Sequence, residues 1–300
     1  MINNMNNPQT KNISVIIPAY NEADSIKSVL DNLKNTLNNL NLENFEIIVI
    51  NDASTDNTKS VLESIENIKT INHSYNKGYG AGLKTGAKNA KHDWVLTFDA
   101  DGQHNPKYIE EMLKYTDEYD LIAGERQGYQ GPWIRQPGKK VIHWLARYLL
   151  GHKVNDFNCG LRLIKRDEFL RFEHLYPDGF SCSTTSVFAF LKEKLNIKFV
   201  PLEINKRDSG KSLVNPKDAL TYFMLIIRLI MLFSPLRIFL PISGLFFLGF
   251  LGLFINDILI SEFNNITDST VLLFITSVLI FFFGLIADQL AAIRRELNRK

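Results

Sequence analysis

Trp94-Val95-Leu96-Thr97-Phe98-Asp99-Ala100-Asp101-Gly102-Gln103 reads as a short apolar strand that runs directly into two carboxylates. Residues 94–98 carry no charge and are too few for a stable helix, so a buried strand is expected. The same pattern occurs upstream at residues 13–17, ended by Pro18, at residues 45–50, and more briefly at residues 68–71. Helical stretches alternate with these strands. Ile26, Val29, Leu30, Leu33, Leu37 and Leu40 fall on one face at the helical period, and Asp56 is placed to cap a helix carrying Val61, Leu62 and Ile65. Residues 80–90 form a small-residue helix, and Asn105-Pro106 has the composition of a helix start. This alternation predicts an α/β domain, a mostly parallel sheet covered on both faces. Ligands of such sheets bind beyond the carboxyl ends of the strands.

The polar clusters fall at those ends. The first strand is followed by Pro18-Ala19-Tyr20-Asn21-Glu22, the second by Asn51-Asp52-Ala53-Ser54-Thr55-Asp56, and the third by Asp99-Ala100-Asp101-Gly102-Gln103. Carboxylates there accept hydrogen bonds from base or ribose hydroxyls, or hold a hard cation on a diphosphate. Mg²⁺ and Mn²⁺ take oxygen ligands, commonly one or two carboxylates completed by substrate phosphates. In extended chain Asp99 and Asp101 point to opposite sides, so one can face a nucleotide while the other reaches a metal. Gly78-Tyr79-Gly80-Ala81-Gly82 does not match the dinucleotide fingerprint, and close packing of a helix on the sheet accounts for most of its glycines.

Beyond about residue 218 the chain becomes strongly apolar. Residues 238–255 and 269–287 are each close to the ~20 helical residues that cross a ~30 Å hydrocarbon core. Two membrane-spanning helices are therefore expected, the alternative being a buried hairpin in a soluble core. Arg237 precedes the first span, Arg294, Arg295, Arg299 and Lys300 follow the second, and the loop between carries only acidic residues. Positive residues favour the cytoplasmic side, which would place both termini and the N-terminal domain there. Residues 219–233, with Arg228 in the middle, suit an interfacial helix lying on the bilayer, the alternative being a third or re-entrant membrane segment. The expected organisation is a catalytic domain over residues 1–216, a juxtamembrane helix over 217–235, and a two-helix anchor with a basic tail over 236–300.

Bulk composition narrows the function class. A formal net charge of +2 gives no footprint for nucleic acid. Two cysteines, Cys159 and Cys182, are too few for a disulfide framework and lack zinc-site spacing. The Asn-rich N-terminus has no apolar core of a signal peptide.

Val15-Ile16-Ile17-Pro18-Ala19-Tyr20-Asn21-Glu22, Asn51-Asp52-Ala53-Ser54-Thr55-Asp56-Asn57-Thr58, Asn76-Lys77-Gly78-Tyr79-Gly80-Ala81-Gly82 and Asp99-Ala100-Asp101-Gly102-Gln103-His104 together resemble the family 2 glycosyltransferases of GT-A fold. More narrowly the chain is similar to the polyisoprenyl-phosphate sugar synthases, the dolichol-phosphate mannose and glucose synthase group, from about Ser14 to Leu213 and on into the anchor. That resemblance implies that Pro18, Tyr20 and Glu22 line a nucleotide pocket, with Asp52 beside the base or ribose. It implies that Asp99 contacts the nucleotide-sugar and that Asp101 and Gln103 ligate Mg²⁺ or Mn²⁺. Gly124-Glu125-Arg126 is similar to the family's Ser-Arg segment with Glu125 in place of the serine, and Arg126 is carried over. Asp156-Phe157-Asn158-Cys159-Gly160-Leu161-Arg162 resembles the acceptor-site motif. Asp156 is the candidate general base there, against a role in orienting Arg162. Arg207-Asp208-Ser209-Gly210-Lys211-Ser212 resembles the segment at the donor diphosphate, although Lys211 precedes the serine that it follows in many relatives. Arg126, Arg135 and Arg162 are thus assigned to the acceptor phosphate, and Arg207 and Lys211 to the donor.

The resulting expectation is inverting transfer of one sugar from a nucleotide-sugar, UDP-hexose favoured over GDP-mannose, to a polyprenyl or dolichyl phosphate at the cytoplasmic leaflet. Another membrane acceptor, diacylglycerol or a lipid-linked glycan, is the alternative enzyme, and a catalytically silent membrane scaffold is the alternative of another class. The lipid bilayer is an expected partner, and a homo-oligomer is compatible with the sequence.

Overall fold

The structure, a computed structural model, describes residues 11–40, 42–127, 144, 147–148, 156–179, 181–203, 224, 227–229, 231–261 and 266–296. They divide into two compact units: Met1–His143 with His152–Asn215, and Trp144–Gly151 with Pro216–Lys300. Residues of the segment Trp144–Gly151 group with the C-terminal unit.

The first unit is built on a seven-stranded sheet. Its strands are β1 (Lys11–Ala19), β2 (Leu42–Asn51), β3 (Lys69–Asn72), β4 (Trp94–Thr97), β5 (Leu121–Arg126), β6 (Arg162–Lys165) and β7 (Ile197–Leu202), in the order β3-β2-β1-β4-β6-β5-β7. β1 lies parallel to both neighbours, with Val15 opposite Ile47 on β2 and Leu96 on β4. Ile13, Val15, Ile16 and Ile17 are all fully buried, as expected for a central strand covered on both faces. β6 alone is reversed: Leu163 pairs antiparallel with Leu96 of β4 and with Ile122 of β5. Six strands therefore finish at one edge of the sheet, and β6 begins there.

Helices cover both faces. α1 (Ile26–Asn39) buries Ile26, Val29, Leu30, Leu33 and Leu37 in one cluster with Ile13, Val15 and Ile17. α3 (Tyr79–Asn89) lies against the opposite side of β1, where a Cβ on Gly86 would stand 2.3 Å from Ile16 Cγ2. Only glycine allows that approach, which supports the packing role read for these small residues. α2 (Thr58–Glu63) follows the β2 loop, and Asp56 Oδ1 accepts the Thr58 N–H at 2.9 Å. α4 spans Tyr108–Leu113, two residues later than Pro106 suggested, because Asn105 and Pro106 form a preceding turn in which Asn105 Oδ1 accepts Lys107 N at 3.0 Å. α5 (Arg166–Arg171) and α6 (Cys182–Lys192) complete the unit. α6 is buried along nearly its whole length despite Ser183, Thr184, Thr185 and Ser186.

In the second unit, α7 (Leu236–Ser261) and α8 (Asp268–Glu296) pack on each other. Both are long and apolar enough to cross a membrane, over Leu236–Leu259 and Asp268–Arg294. Only 6% and 22% of their most apolar stretches are buried, which argues against a hairpin hidden in a soluble core. The apolar helices exceed the expected residues 238–255 and 269–287, and the reason is visible at Asp257. Its Oδ2 accepts Thr267 N and Thr267 Oγ1 at 3.0 Å and Thr270 Oγ1 at 2.6 Å, so α7 continues past a carboxylate that α8 satisfies. Ser243 Oγ donates to Ser277 O at 2.9 Å lower in the pair. The expected interfacial helix at residues 217–235 lies largely outside the described residues. Among those described, Met224, Ile227 and Met231 are exposed while Leu229, Leu232 and Phe233 are buried.

Candidate active site

The first two polar strand ends are joined by their own hydrogen bonds. Asn21 N donates to Ser54 Oγ at 3.1 Å, Thr55 N to Asn21 Oδ1 at 2.8 Å, Glu22 N to Thr58 Oγ1 at 2.9 Å and Ala23 N to Asp56 Oδ2 at 3.2 Å. Asn21 and Ala53 both sit in left-handed backbone, φ 56° and 58°. Such strain persists only where the surroundings hold it, and it gathers at functional loops. Pro18 is buried under α3, Glu22 is half-buried with its Oε2 accepting Ser25 Oγ at 2.7 Å, and Tyr20 is 45% exposed beside them.

Asp52, at the end of the second strand, is held by the protein itself. Its buried carboxylate accepts His73 Nδ1 at 2.7 Å, Lys77 N at 2.9 Å and Gly78 N at 2.7 Å. Burial alone would raise its pKa, yet these hydrogen bonds and the His73 charge hold it below the usual carboxylate value. A carboxylate offers about four acceptor positions, and three are occupied by the protein. Asp52 therefore shapes the turn that opens α3.

Asp99 stands at the centre of the site. Tyr79 donates its hydroxyl to Oδ1 at 2.9 Å, and His104 Nε2 meets Oδ2 at 3.0 Å. Burial pushes its pKa up, but the His104 bond and charge, the Tyr79 bond and the charge of Arg126 bring it below the ordinary value. Tyr79 is driven the other way, its phenol raised well above normal by burial and then by the Asp99 charge. Gly160 closes over Asp99 so tightly that a Cβ would stand 2.0 Å from Oδ2. Thr97 Oγ1, at the end of β4, fixes that loop by donating to Gly160 O at 2.5 Å. Asp101 and Gln103 are half-buried on the following turn, where Asp101 Oδ1 accepts Gln103 N at 3.1 Å.

Because β6 is reversed, the loop leading into it, residues 156–161, arrives at the same edge. Arg126, at the end of β5, grips Asp156 through Nε to Oδ2 at 2.6 Å and Nη2 to Oδ1 at 2.9 Å. Burial would raise the Asp156 carboxyl, but Arg126 outweighs it and holds the group low. Both oxygens of Asp156 are thus taken by the Arg126 guanidinium. The Arg162 guanidinium is 2% exposed and donates to Cys159 O at 2.8 Å, Phe157 O at 2.6 Å, Ser183 O at 2.6 Å and Ser186 Oγ at 2.8 Å. Arg162 is thus held in the core by these four acceptors, and burial lowers its pKa. Cys159 and Cys182 are pushed up to about 12 by burial, which leaves inert thiols. Arg135, Arg207 and Lys211 lie outside the described residues.

Tyr79, His104 and Gly160 had no role assigned from sequence. His104 could have been found by its place directly after Gln103; Tyr79 and Gly160 become visible only when α3 and β6 are placed beside β4.

As a metal site the arrangement offers oxygen donors from Asp101 and Gln103. Among the described residues no three His, Cys, Asp or Glu side chains converge to hold an ion unaided. That donor set suits a hard cation whose shell is completed by a ligand's phosphates and water.

Comparison with known proteins agrees with this geometry. The profile described as glycosyl transferase family 2 matches residues 14–173, which contain every strand except β7 and the beginning of β1. The chain belongs to glycosyl transferase family 2. It is a glycosyltransferase, and a second profile, the GtrB C-terminal hairpin, matches residues 234–293. A UDP-N-acetylglucosamine–dolichyl-phosphate N-acetylglucosaminyltransferase of Methanococcus voltae is 32% identical over 74% of this chain and 96% of that protein. An undecaprenyl-phosphate 4-deoxy-4-formamido-L-arabinose transferase of Aeromonas hydrophila is 28% identical over 69% of this chain and 64% of the relative. Among solved structures, glucosyl-3-phosphoglycerate synthase from Mycobacterium tuberculosis, in complex with Mn²⁺, UDP-glucose and phosphoglyceric acid, superposes with a TM-score of 0.57. That likeness covers 73% of this chain and 79% of the other at 19% identity, and it establishes the GT-A fold.

Proposed function

We propose that this glycosyltransferase moves a single sugar, with inversion, from a nucleotide-sugar to the phosphate of a polyprenyl or dolichyl lipid at the cytoplasmic face of a membrane. The observation that carries the reading is the Asp99-centred cluster at the common strand edge of a chain that also holds an apolar helical hairpin. The two relatives named above act, by their names, on dolichyl and undecaprenyl phosphate, and one uses a UDP-sugar, which favours a UDP donor over GDP-mannose. Arginines flanking the hairpin support the cytoplasmic orientation.

In this reading a lipid-phosphate oxygen attacks the anomeric carbon, the new C–O bond forms as the bond to the nucleotide diphosphate breaks, and the nucleoside diphosphate leaves. The nucleophile is ionised near neutral pH and needs little proton abstraction, in keeping with an Asp156 held low by Arg126. Asp99 is the acceptor for a donor hydroxyl or amide hydrogen, while Pro18, Tyr20 and Glu22 border the nucleotide. Arg126, with Arg135, meets the acceptor phosphate; Arg207 and Lys211 meet the donor diphosphate. Asp101 and Gln103 would hold Mg²⁺ or Mn²⁺, which when bound offsets charge on the departing diphosphate.

The test is to incubate membranes carrying the protein with labelled UDP-glucose, UDP-N-acetylglucosamine and GDP-mannose and with polyprenyl phosphate, with and without Mn²⁺. An acid-labile lipid product from one donor is expected, absent with Asp101→Ala. Unchanged turnover in that variant would sink the mechanism.

A further inference from the structure

Tyr79 and His104 share no element of the chain, yet both end on one carboxylate. Tyr79 is the first residue of α3 and reaches Asp99 Oδ1 at 2.9 Å; His104 follows the β4 turn and reaches Oδ2 at 3.0 Å. Each oxygen of Asp99 thus has one donor, and Gly160 leaves no room for the carboxylate to swing toward the β6 loop.

Both donors are themselves held. The His104 ring is buried, lies edge-on to Phe98 with centroids 6.1 Å apart, and has no hydrogen-bond partner at Nδ1. A buried imidazole nitrogen without a partner is costly, so the ring is retained in spite of that side, and its one polar contact is Asp99. Tyr79 is placed by the turn before it, whose Lys77 and Gly78 amides are fastened to Asp52, which is in turn fastened to His73. Hydrogen bonds, carried across the Gly78–Tyr79 peptide, link His73 just after β3 through Asp52, the turn, Tyr79 and Asp99 to His104.

We propose that Tyr79 and His104 are positioning residues that clamp Asp99 from opposite sides and hold its remaining lone pairs on the nucleotide-sugar. The proposal rests on the donor-binding role of Asp99 given above. A clamp of this kind acts on donor affinity: the carboxylate is already oriented before binding, so loosening it raises KM and leaves kcat nearly unchanged. Losing one hydrogen bond to a charged acceptor corresponds to roughly a tenfold or larger effect.

The experiment uses full-length protein in detergent. It measures calorimetric binding of UDP-glucose, UDP-N-acetylglucosamine and GDP-mannose with Mn²⁺, steady-state transfer, and thermal unfolding. Tyr79→Phe, His104→Leu and His104→Gln are compared in the wild-type and Asp99→Asn backgrounds. Tyr79→Phe and His104→Leu should each weaken donor binding and raise donor KM about tenfold with kcat within about threefold. Glutamine, which can donate from near the Nε2 position, should recover most of the His104→Leu loss, and neither substitution should add to Asp99→Asn. Unchanged donor KM in Tyr79→Phe and His104→Leu, while Asp99→Asn abolishes binding, overturns the clamp and leaves the functional reading standing. Losses that follow the unfolded fraction, or that persist undiminished beside Asp99→Asn, overturn it as well. If the wild type binds none of the three donors, or Asp99→Asn binds them equally well, the functional reading falls and takes the clamp with it.

Discussion

Replacing Gly160 by alanine tests the centre of the site with a single methyl group. The added Cβ would stand 2.0 Å from Asp99 Oδ2 and 2.4 Å from both Cγ and Oδ1, where a carbon–oxygen contact normally needs more than 3 Å. Something must therefore move by about 1 Å, and both sides are braced. If Asp99 retreats, it loses the Tyr79 or His104 bond, each worth about 1.5–3 kcal/mol for a charged acceptor. If the 156–160 loop retreats, it strains Thr97 on Gly160 O and Arg162 on Phe157 O and Cys159 O. Overpacking of this kind costs about 1–3 kcal/mol, so a stability loss of about 2–4 kcal/mol is expected. A displacement of about 1 Å at a positioned group can lower turnover about 100-fold, and kcat/KM should fall by at least that. The assay pairs transfer kinetics with thermal unfolding and uses Gly179→Ala as a control, since a Cβ there meets nothing within 4 Å. Transfer within twofold of wild type together with an unchanged melting temperature in Gly160→Ala would refute the close packing argued here.

Asp156 has a depressed folded pKa, so its contribution to stability is present above the unfolded value of about 3.9 and disappears as pH falls through the lower folded value. Asp156→Asn should accordingly be less stable at pH 7 by about 2–3 kcal/mol and lose less on acidification than wild type, as read from unfolding midpoints between pH 7 and pH 2. In the same variant the acidic limb of the kcat profile should remain, and its loss would mark Asp156 as a general base. Arg162→Lys keeps the charge but not the planar set of donors that meets four acceptors, and a loss of about 3 kcal/mol or more is expected by denaturant or thermal unfolding. Asp257→Ala removes the acceptor shared by Thr267 and Thr270 and should weaken the helical hairpin by about 1–3 kcal/mol in detergent, measured as earlier proteolysis between α7 and α8 on heating.

How much of this was legible beforehand depends on the range of the interaction. β1, β2 and β4 announce themselves as largely apolar runs, because a strand covered on both faces has no polar side to hide. α1 shows its helical stripe for the complementary reason. The reversal of β6 leaves no local mark, since direction is a matter of pairing and Arg162-Leu163-Ile164-Lys165 reads the same either way. Its consequence is equally unmarked: the sequence offers Asp156 as a candidate general base or, alternatively, as the group that orients Arg162 six residues on, and only the reversed strand shows that it meets Arg126 at the end of β5. The burial of Arg162 is unmarked for another reason. Arginine is seldom fully buried, and only the carbonyls of its own loop and of α6 make that burial tolerable. Asp99, Asp101 and Gln103 stand out in the sequence because all three polar clusters lie directly after strands, where topology gives them a common edge.

The reversed strand also governs how this chain can change. β5 ends and β6 begins at the same edge, and the Arg126–Asp156 pair fastens the two ends of everything between them. The chain thus leaves the sheet at Arg126 and returns to it at Asp156 between two points pinned to each other. Doubling the number of residues between two pinned points adds only about 0.6 kcal/mol of closure entropy, and no strand has to change register to accommodate it. The fold holds here a socket in which sequence can be lengthened, shortened or exchanged while the sheet remains untouched.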